Sequence, residues 1–483
     1  MNKHFATGNG WPGYPKDGYG RLDHVEPPNL EGAAEAVFAF DVVDAGWLEL
    51  QPGGRFDLAN PELLAVRQAE FWKQMFGTAA DRPSDPYERA PVYRVDISVE
   101  RSGALFKRLC EIDEETWVHI RLGDRQPGEK VFPAVEVYGG LFAEPIRARL
   151  IKIVPEANLA KALSAAFDMD QWPDAATNDI ARALAAIPEI DRLVAYDVGQ
   201  GAANALVDTG ETALLFFDLG QGVYANKGTS PKPLRFCWRG SPPVVLSHWD
   251  ADHWAGGASD PAASARTWVA PRQKIGATHA LFVAHILRLG GTVSIWGASP
   301  ATISVLTASG QTLTFARCTG SGRNFSGIAL LAEDPATSGS WLLTGDAGYT
   351  YIPIPLGTPT AITVPHHGAD MGPTGAPPPK GSGYRRLIYS FGHGNRHGLT
   401  KVRHPTQAAV MAHAAWNHGA WAVPTPGHVT AGGEVLATAT HPSTHEDGAA
   451  VSWTAAPFVP FTTVPCATGA ASTSGCTGAV RQA

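Results

Sequence analysis

The feature that most constrains this chain is residues 244–257, where the β-branched run Val244-Val245-Leu246 gives way to Ser247-His248-Trp249-Asp250-Ala251-Asp252-His253 and then to Gly256-Gly257. The run reads as a buried strand and the glycines as the turn that follows. Four potential ligands, His248, Asp250, Asp252 and His253, thus fall within six positions at a strand end. A solvated polar turn can use a capping Asp but has no need of a second His and a second Asp. Imidazoles and carboxylates aimed at one point make a site for Zn²⁺ or Mn²⁺.

Other strand-like runs also end in chemistry. Residues 193–201 finish in Asp197-Val198-Gly199-Gln200-Gly201, and residues 216–222 repeat the ending in Asp218-Leu219-Gly220-Gln221-Gly222. Neither has the Lys-Ser/Thr of a phosphate loop or the spacing of a dinucleotide fingerprint, so both read as glycine-permitted turns. Trp341-Leu342-Leu343-Thr344-Gly345-Asp346 is a strand ending in an acid, and Ile362-Thr363-Val364-Pro365-His366-His367-Gly368 delivers two adjacent histidines. Neighbouring side chains on an extended segment point oppositely, so one of His366 and His367 is expected at a metal and the other at substrate or as an acid. His393, Asn395, His397 and His404-Pro405 follow. His279 and His285, on a helical stretch near 277–289, read as surface or core residues and are left out of the site.

The loop resembles the H-x-H-x-D-H signature of the metallo-β-lactamase fold, in the variant H-x-D-x-D-H-x-G-G of the hydrolase domain of ComEC-type DNA-uptake proteins and their soluble relatives. Asp250 stands where most members of the superfamily have a second His, which hardens the site and brings Mn²⁺ into competition with Zn²⁺. The resemblance extends in order through D-V-G-Q-G at 197–201, the strand ending at Asp218, Asn324 and Ser326 before a strand, L-L-T-G-D at 342–346, P-H-H-G at 365–368 and His404-Pro405. Ala202 and Ala369 depart from the acid and the Ser usual there, and extra residues between Gly398 and Arg403 leave open whether His397 or His404 takes the family position. The resemblance implies an α/β (α+β) protein with a four-layer αβ/βα sandwich. It also implies Asp346 bridging two divalent ions and Asp218 orienting the loop from behind. One ion would take His248, Asp250 and Asp346; the other would take Asp252, His253, Asp346 and one of His366 and His367. His366 is the expected ligand of that pair. Asp252, His367 and His404 are the expected catalytic groups, with His404 protonating a leaving group or binding phosphate.

At 483 residues the chain exceeds one ordinary domain. Residues 1–190 are read as an accessory extension: an irregular segment to about 58, a helix from Pro61 capped by Asn60, half-buried strands between about 90 and 154, and two amphipathic helices before Pro188. The hydrolase-like region is expected over 191–430, and 431–483 as a C-terminal segment with a disordered tail. Five cysteines without knuckle spacing read as reduced thiols, with Cys466 and Cys476 as one candidate pair, and neither a signal peptide nor a membrane span is expected from the apolar runs. A cytoplasmic protein without a membrane partner is the expectation.

A formal net charge of −7 gives no global footprint for duplex DNA. Two Zn²⁺ or Mn²⁺ ions would lower the pKa of a bridging water and stabilise charge on a cleaved ester. The leading expectation is therefore a phosphodiesterase or nuclease, with nucleic acid among its candidate substrates. The alternatives are a hydrolase of carboxylic esters, lactones or thioesters, and a non-catalytic module whose N-terminal region binds a protein.

Overall fold

The computed structural model describes residues 1–8, 10–50, 56–124, 134–185, 187–210, 212–231, 234, 236–381, 383–400, 402–417, 435–440, 444–445 and 449–454. It is a mixed α/β protein that divides into two compact units. The first comprises Met1–Pro173, Lys274–Val293 and Arg396–Val402, and the second holds Asp174–Gln273, Ser294–Asn395 and the described part of Arg403–Ala483. The position near 190 where sequence composition changes lies inside the second unit, because Ile180 and Leu184 of the helix Thr177–Leu184 pack into that unit's core.

The first unit is built on a closed antiparallel barrel of β1 (Asp17–Glu26), β2 (Glu35–Asp44), β3 (Val92–Glu100), β4 (Trp117–Gly123), β5 (Ala134–Tyr138) and β6 (Ile146–Pro155), in the order β1-β2-β3-β5-β6-β4. Phe38, Phe40, Val95, Ile97, Val118, Ile120, Val135 and Val137 fill it. The irregular arm expected up to residue 58 is corrected by β1 and β2. β2 carries the ordinary apolar run of a buried strand, whereas the strand character of β1 is hidden because its buried positions include Gly18 and Gly20, where a Cβ would stand 2.5 and 3.0 Å from Val42 side-chain atoms. The apolar alternation that betrays a half-buried strand is therefore absent there. The helix Pro61–Met75 is present, capped by Asn60, with Leu64, Phe71, Trp72 and Met75 buried.

The helix Ala277–Arg288 belongs to this unit, and Asp41 of β2 receives its N-terminus: Thr278 N–H donates to Oδ2 at 2.8 Å and its hydroxyl to Oδ1 at 2.5 Å. His279 accepts from Gly276 N–H at 3.1 Å, and burial and the nearby Arg288 pull His285 down to about 4. Both histidines are accounted for as packed helix residues. Because Asp41 is 4% exposed and satisfies two donors, Asp41→Ala is expected to cost about 1–3 kcal/mol in denaturant unfolding.

The second unit contains two seven-stranded sheets and an antiparallel pair, β20 (Ala439–Thr440) with β21 (Thr444–His445). The first sheet runs β12-β11-β10-β9-β8-β7-β22, from β7 (Arg192–Ala195), β8 (Ala203–Val207), β9 (Ala213–Leu219), β10 (Val244–Val245), β11 (Thr267–Pro271), β12 (Thr292–Trp296) and β22 (Ala449–Ser452). The second runs β13-β14-β15-β16-β17-β18-β19, from β13 (Thr302–Leu306), β14 (Thr312–Arg317), β15 (Ile328–Asp334), β16 (Gly339–Leu343), β17 (Ala361–Thr363), β18 (Arg386–Tyr389) and β19 (Val435–Ala437). Each is antiparallel at one side and parallel at the other. Leu206, Leu215, Phe217, Val245 and Val269 of the first share one core with Phe315, Ile328, Leu330, Leu343 and Ile388 of the second. A second cluster covers the other face of the latter sheet, where Val410 of the helix Gln407–Ala412 packs with Ile362 and Leu387.

Residues beyond 430 are not wholly a separate segment. β19 and β22 each join a sheet, and Trp453 stacks on Trp341 with ring centres 3.4 Å apart. The tail expected to be disordered lies outside the described residues. Cys110 and Cys318 are free thiols, but Cys237 is disulfide-bonded; the expectation of reduced thiols fails there, since local spacing does not reveal distant pairing. Among the described residues no helix is long and apolar enough to cross a membrane.

Candidate metal centre

Parallel strands bring their carboxyl ends to a common edge, and loops leaving that edge can converge on one point. β9 carries Asp218 as its penultimate residue, β10 leads into residues 247–253, β16 leads to Asp346, and β17 to His366 and His367. The two adjacent histidines are not extended. Their φ angles are +49° and +54°, so the premise that they point oppositely is corrected. A left-handed conformation costs a non-glycine residue about 1–3 kcal/mol, and here it turns both imidazoles toward the carboxylates.

Asp346 divides the cluster. Its Oδ2 lies 3.5 Å from His248 Nε2 and 3.6 Å from His366 Nε2, and His248 Nε2 is 3.7 Å from Asp250 Oδ2. Its Oδ1 lies 3.0 Å from His253 Nε2 and 4.0 Å from His367 Nε2, and His367 Nε2 is 3.2 Å from Asp252 Oδ2. Two ligands about 2.1 Å from one ion stand about 3.0–3.4 Å apart at ordinary coordination angles. The observed separations fall near that range. The cluster therefore has two halves, His248, Asp250 and His366 on one oxygen and His253, Asp252 and His367 on the other, which corrects the expectation of His366 beside Asp252 and His253 with His367 as a catalytic group: His367 takes that place.

The ring nitrogens carry the strongest indication. His248 Nδ1 meets Ser247 Oγ at 3.0 Å, His253 Nδ1 meets Asp218 Oδ2 at 2.9 Å, and His367 Nδ1 meets the Ser390 carbonyl at 2.9 Å. The Nε2 atom of each of the three is buried and makes no hydrogen bond. One nitrogen anchored and the other turned bare toward carboxylates is how metal-binding imidazoles are held. Ligand atoms of His248, His253 and Asp346, and those of Asp252, His253 and His367, each lie within 4.8 Å of one another, so these residues fit a divalent cation. Asp252, 26% exposed where the others are at most 4%, lies on the solvent side.

Asp218, fully buried, accepts from Ser247 N–H at 2.6 Å and from its hydroxyl at 2.7 Å, besides holding His253. The Gly-Gln-Gly endings have a role that turn geometry misses. Ala202 N–H donates to the Asp252 carbonyl at 3.1 Å, and a Cβ on Gly220 would stand 1.7 Å from that same oxygen. Gly220→Ala must therefore push the ligand loop away, and we expect it to weaken metal binding at least about tenfold in a calorimetric titration.

Metal-free charge is balanced among the side chains. Burial lowers His248, but Asp346 and Asp250 outweigh it and hold the imidazole at about 9; His253 is held well above its ordinary value by Asp346 and Asp218, again against burial. Burial would raise Asp252 and Asp346, yet the imidazoles around them hold both below the usual carboxylate range. The raised His248 pKa stabilises the metal-free fold fully below pH 6.5, and this contribution is lost as pH rises through about 9. Ligation needs neutral imidazole. Metal affinity should therefore rise with pH between 6.5 and 9, and the gap in melting temperature between metal-loaded and chelated protein should widen over the same interval.

Of the two candidate histidines downstream, His404 is in this unit, its ring centre 5.6 Å from that of His366 and nearly perpendicular to it. His397 belongs to the first unit, where it stacks on His24. Asn395 fixes His404 through its carbonyl at 2.6 Å and its N–H at 2.8 Å. Sequence reasoning missed Arg323, 2% exposed, whose Nε lies 3.6 Å from Asp250 Oδ1. A single Arg in a Gly/Ser-rich loop carries no signal of that position. No family model matches the chain, and no curated protein matches it.

Proposed function

We propose that the second unit is a binuclear metal-dependent hydrolase with the αβ/βα sandwich of the metallo-β-lactamase superfamily, acting on phosphodiesters, nucleic acid included. The observation that carries this reading is the set of three buried, hydrogen-bond-free Nε2 atoms disposed around the two oxygens of Asp346. Two divalent cations bound there would supply Lewis acidity and an activated water. Three carboxylates, Asp250, Asp252 and Asp346, leave two such cations with an excess of one positive charge. That excess suits a singly charged phosphodiester better than a neutral ester.

The chain's own groups supply the rest. Asp252, on the solvent side, marks where substrate enters. Gln200 accepts from Gly392 N–H through Oε1 at 3.2 Å, which leaves its amide nitrogen facing His404 Nδ1 at 3.3 Å. An N–H donated to Nδ1 places the imidazole proton on Nε2, the tautomer that can protonate a departing oxygen.

Purified protein should contain about two Zn or Mn per chain by mass spectrometry and hydrolyse bis(p-nitrophenyl) phosphate in preference to p-nitrophenyl acetate. Asp346→Ala should lose metal and at least about 100-fold in rate. A chain that takes up no metal after reconstitution, or that cleaves only the carboxylic ester, would reject the proposal. His404→Ala should keep its metal yet lose about 10²–10⁴-fold in kcat on a diester with an alkoxide leaving group. It should lose much less on the p-nitrophenyl diester, whose leaving group needs no proton.

A further inference from the structure

Two neighbouring turns at the sheet edge carry Asp346, after β16, and His366 and His367, after β17. They meet where His366 N–H donates to the Gly345 carbonyl at 3.3 Å. The second turn is left-handed over three successive residues, His366, His367 and Gly368, with φ of +49°, +54° and +84°. Such a turn persists only where its surroundings over-determine it. Part of that determination comes from the helix Gln407–Ala412. Its N-cap, Thr406, gives the Gly368 carbonyl two donors, the backbone N–H at 2.8 Å and the hydroxyl at 3.2 Å, while the hydroxyl oxygen accepts from Ala409 N–H at 3.1 Å. Pro405 lies so close that a Cβ on Gly368 would stand 2.5 Å from the Pro405 Cβ.

The other end of the same helix reaches the first turn. His413, its C-cap, donates from Nδ1 to the Ala409 carbonyl at 2.7 Å, which leaves Nε2 to accept the Tyr349 hydroxyl at 2.9 Å. Tyr349 and His413 are buried, and burial pulls the imidazole down to about 4, so it stays the neutral acceptor. Little slack separates Tyr349 from Asp346. Ala347 N–H donates to the Thr344 carbonyl at 3.2 Å, and a Cβ on Gly348 would stand 2.6 Å from Thr374 Oγ1.

We infer that Thr406 and the Tyr349–His413 pair are positioning residues that make this helix a brace between the two turns, fixing Asp346 relative to His366 and His367; the inference rests on the binuclear reading above. A cation tolerates only small errors in the placing of its ligands, so groups that never touch it still set its affinity.

Calorimetric Mn²⁺ titration of the full chain tests this, beside the melting temperature of the chelated protein. Thr406→Asp keeps a cap for the Ala409 N–H but has no hydroxyl to give the Gly368 carbonyl. Tyr349→Phe, the milder change, keeps the ring and removes only the donor to His413. Each should weaken Mn²⁺ binding about 10–100-fold, whereas Thr406→Ser should bind as wild type. His413→Gln, which keeps an acceptor for Tyr349, should bind Mn²⁺ more tightly than His413→Leu. Coulomb's law alone predicts the opposite sign for Thr406→Asp, since an added carboxylate favours a cation. Tighter binding in that variant would therefore overturn the inference, as would weakening in only one of Thr406→Asp and Tyr349→Phe. Wild-type affinity in both, even with a lowered melting temperature, would reduce these contacts to supports of the fold and overturn it as well. A wild-type chain that binds no ion would instead bring down the binuclear reading itself.

Discussion

Three carboxylates and four imidazoles converge around Asp346 in a place nearly closed to water, and burying so much ionisable surface is the constraint on which the second unit depends. An isolated buried charge is costly, and even a paired one is compensated only when the remaining lone pairs and protons find partners. Asp218 is the clearest response: one side chain satisfies a backbone N–H, a hydroxyl and an imidazole of the ligand loop. The bare Nε2 atoms are what this local satisfaction leaves over. A network that anchors the Nδ1 atoms of His248, His253 and His367 and leaves their Nε2 atoms without a hydrogen bond has the arrangement of imidazoles held for a cation.

The backbone bears the cost of that arrangement. Asp218, His366 and His367 all adopt positive φ, at +65°, +49° and +54°. Asp218 sits at the last turn of β9, and His366 and His367 lie just beyond β17, so the paired strands supply the rigidity that holds the strained backbone. Gly220 serves the same end differently, by having no side chain where the Asp252 carbonyl must pass. Rigid strand ends and empty space beneath the loop position ligands to fractions of an ångström, which mobile loops alone do not achieve.

How legible this was in the sequence differed by residue type. His248, Asp250, Asp252, His253, Asp346, His366 and His367 could be picked out because clustered imidazoles and carboxylates at strand ends have few other uses, and the structure brings all seven together. The strand β1 was not legible because glycine occupies its buried positions, and a pattern of hydrophobicity cannot register a missing side chain; the apolar run of β2 did carry a strand signal, without a paired strand beside it to give it meaning. The conformation of His366 and His367 was misjudged for a related reason: periodicity describes regular backbone, whereas these two residues sit where the regular strand stops. The helix Ala277–Arg288 was recognised as a helix, but its membership of the first unit depends on Asp41, more than two hundred residues away.

Arg323 marks the limit of reading ligands by type. A metal centre is specified as much by what turns its ligands as by the ligands themselves, and the turning groups come from any residue class that can donate or accept a hydrogen bond. Here His253 is turned by a carboxylate and His367 by a backbone carbonyl, whereas Arg323 stands 3.6 Å from Asp250 as a neighbouring charge. A cationic neighbour withdraws density from Asp250, whereas the anionic Asp218 strengthens His253 as a donor.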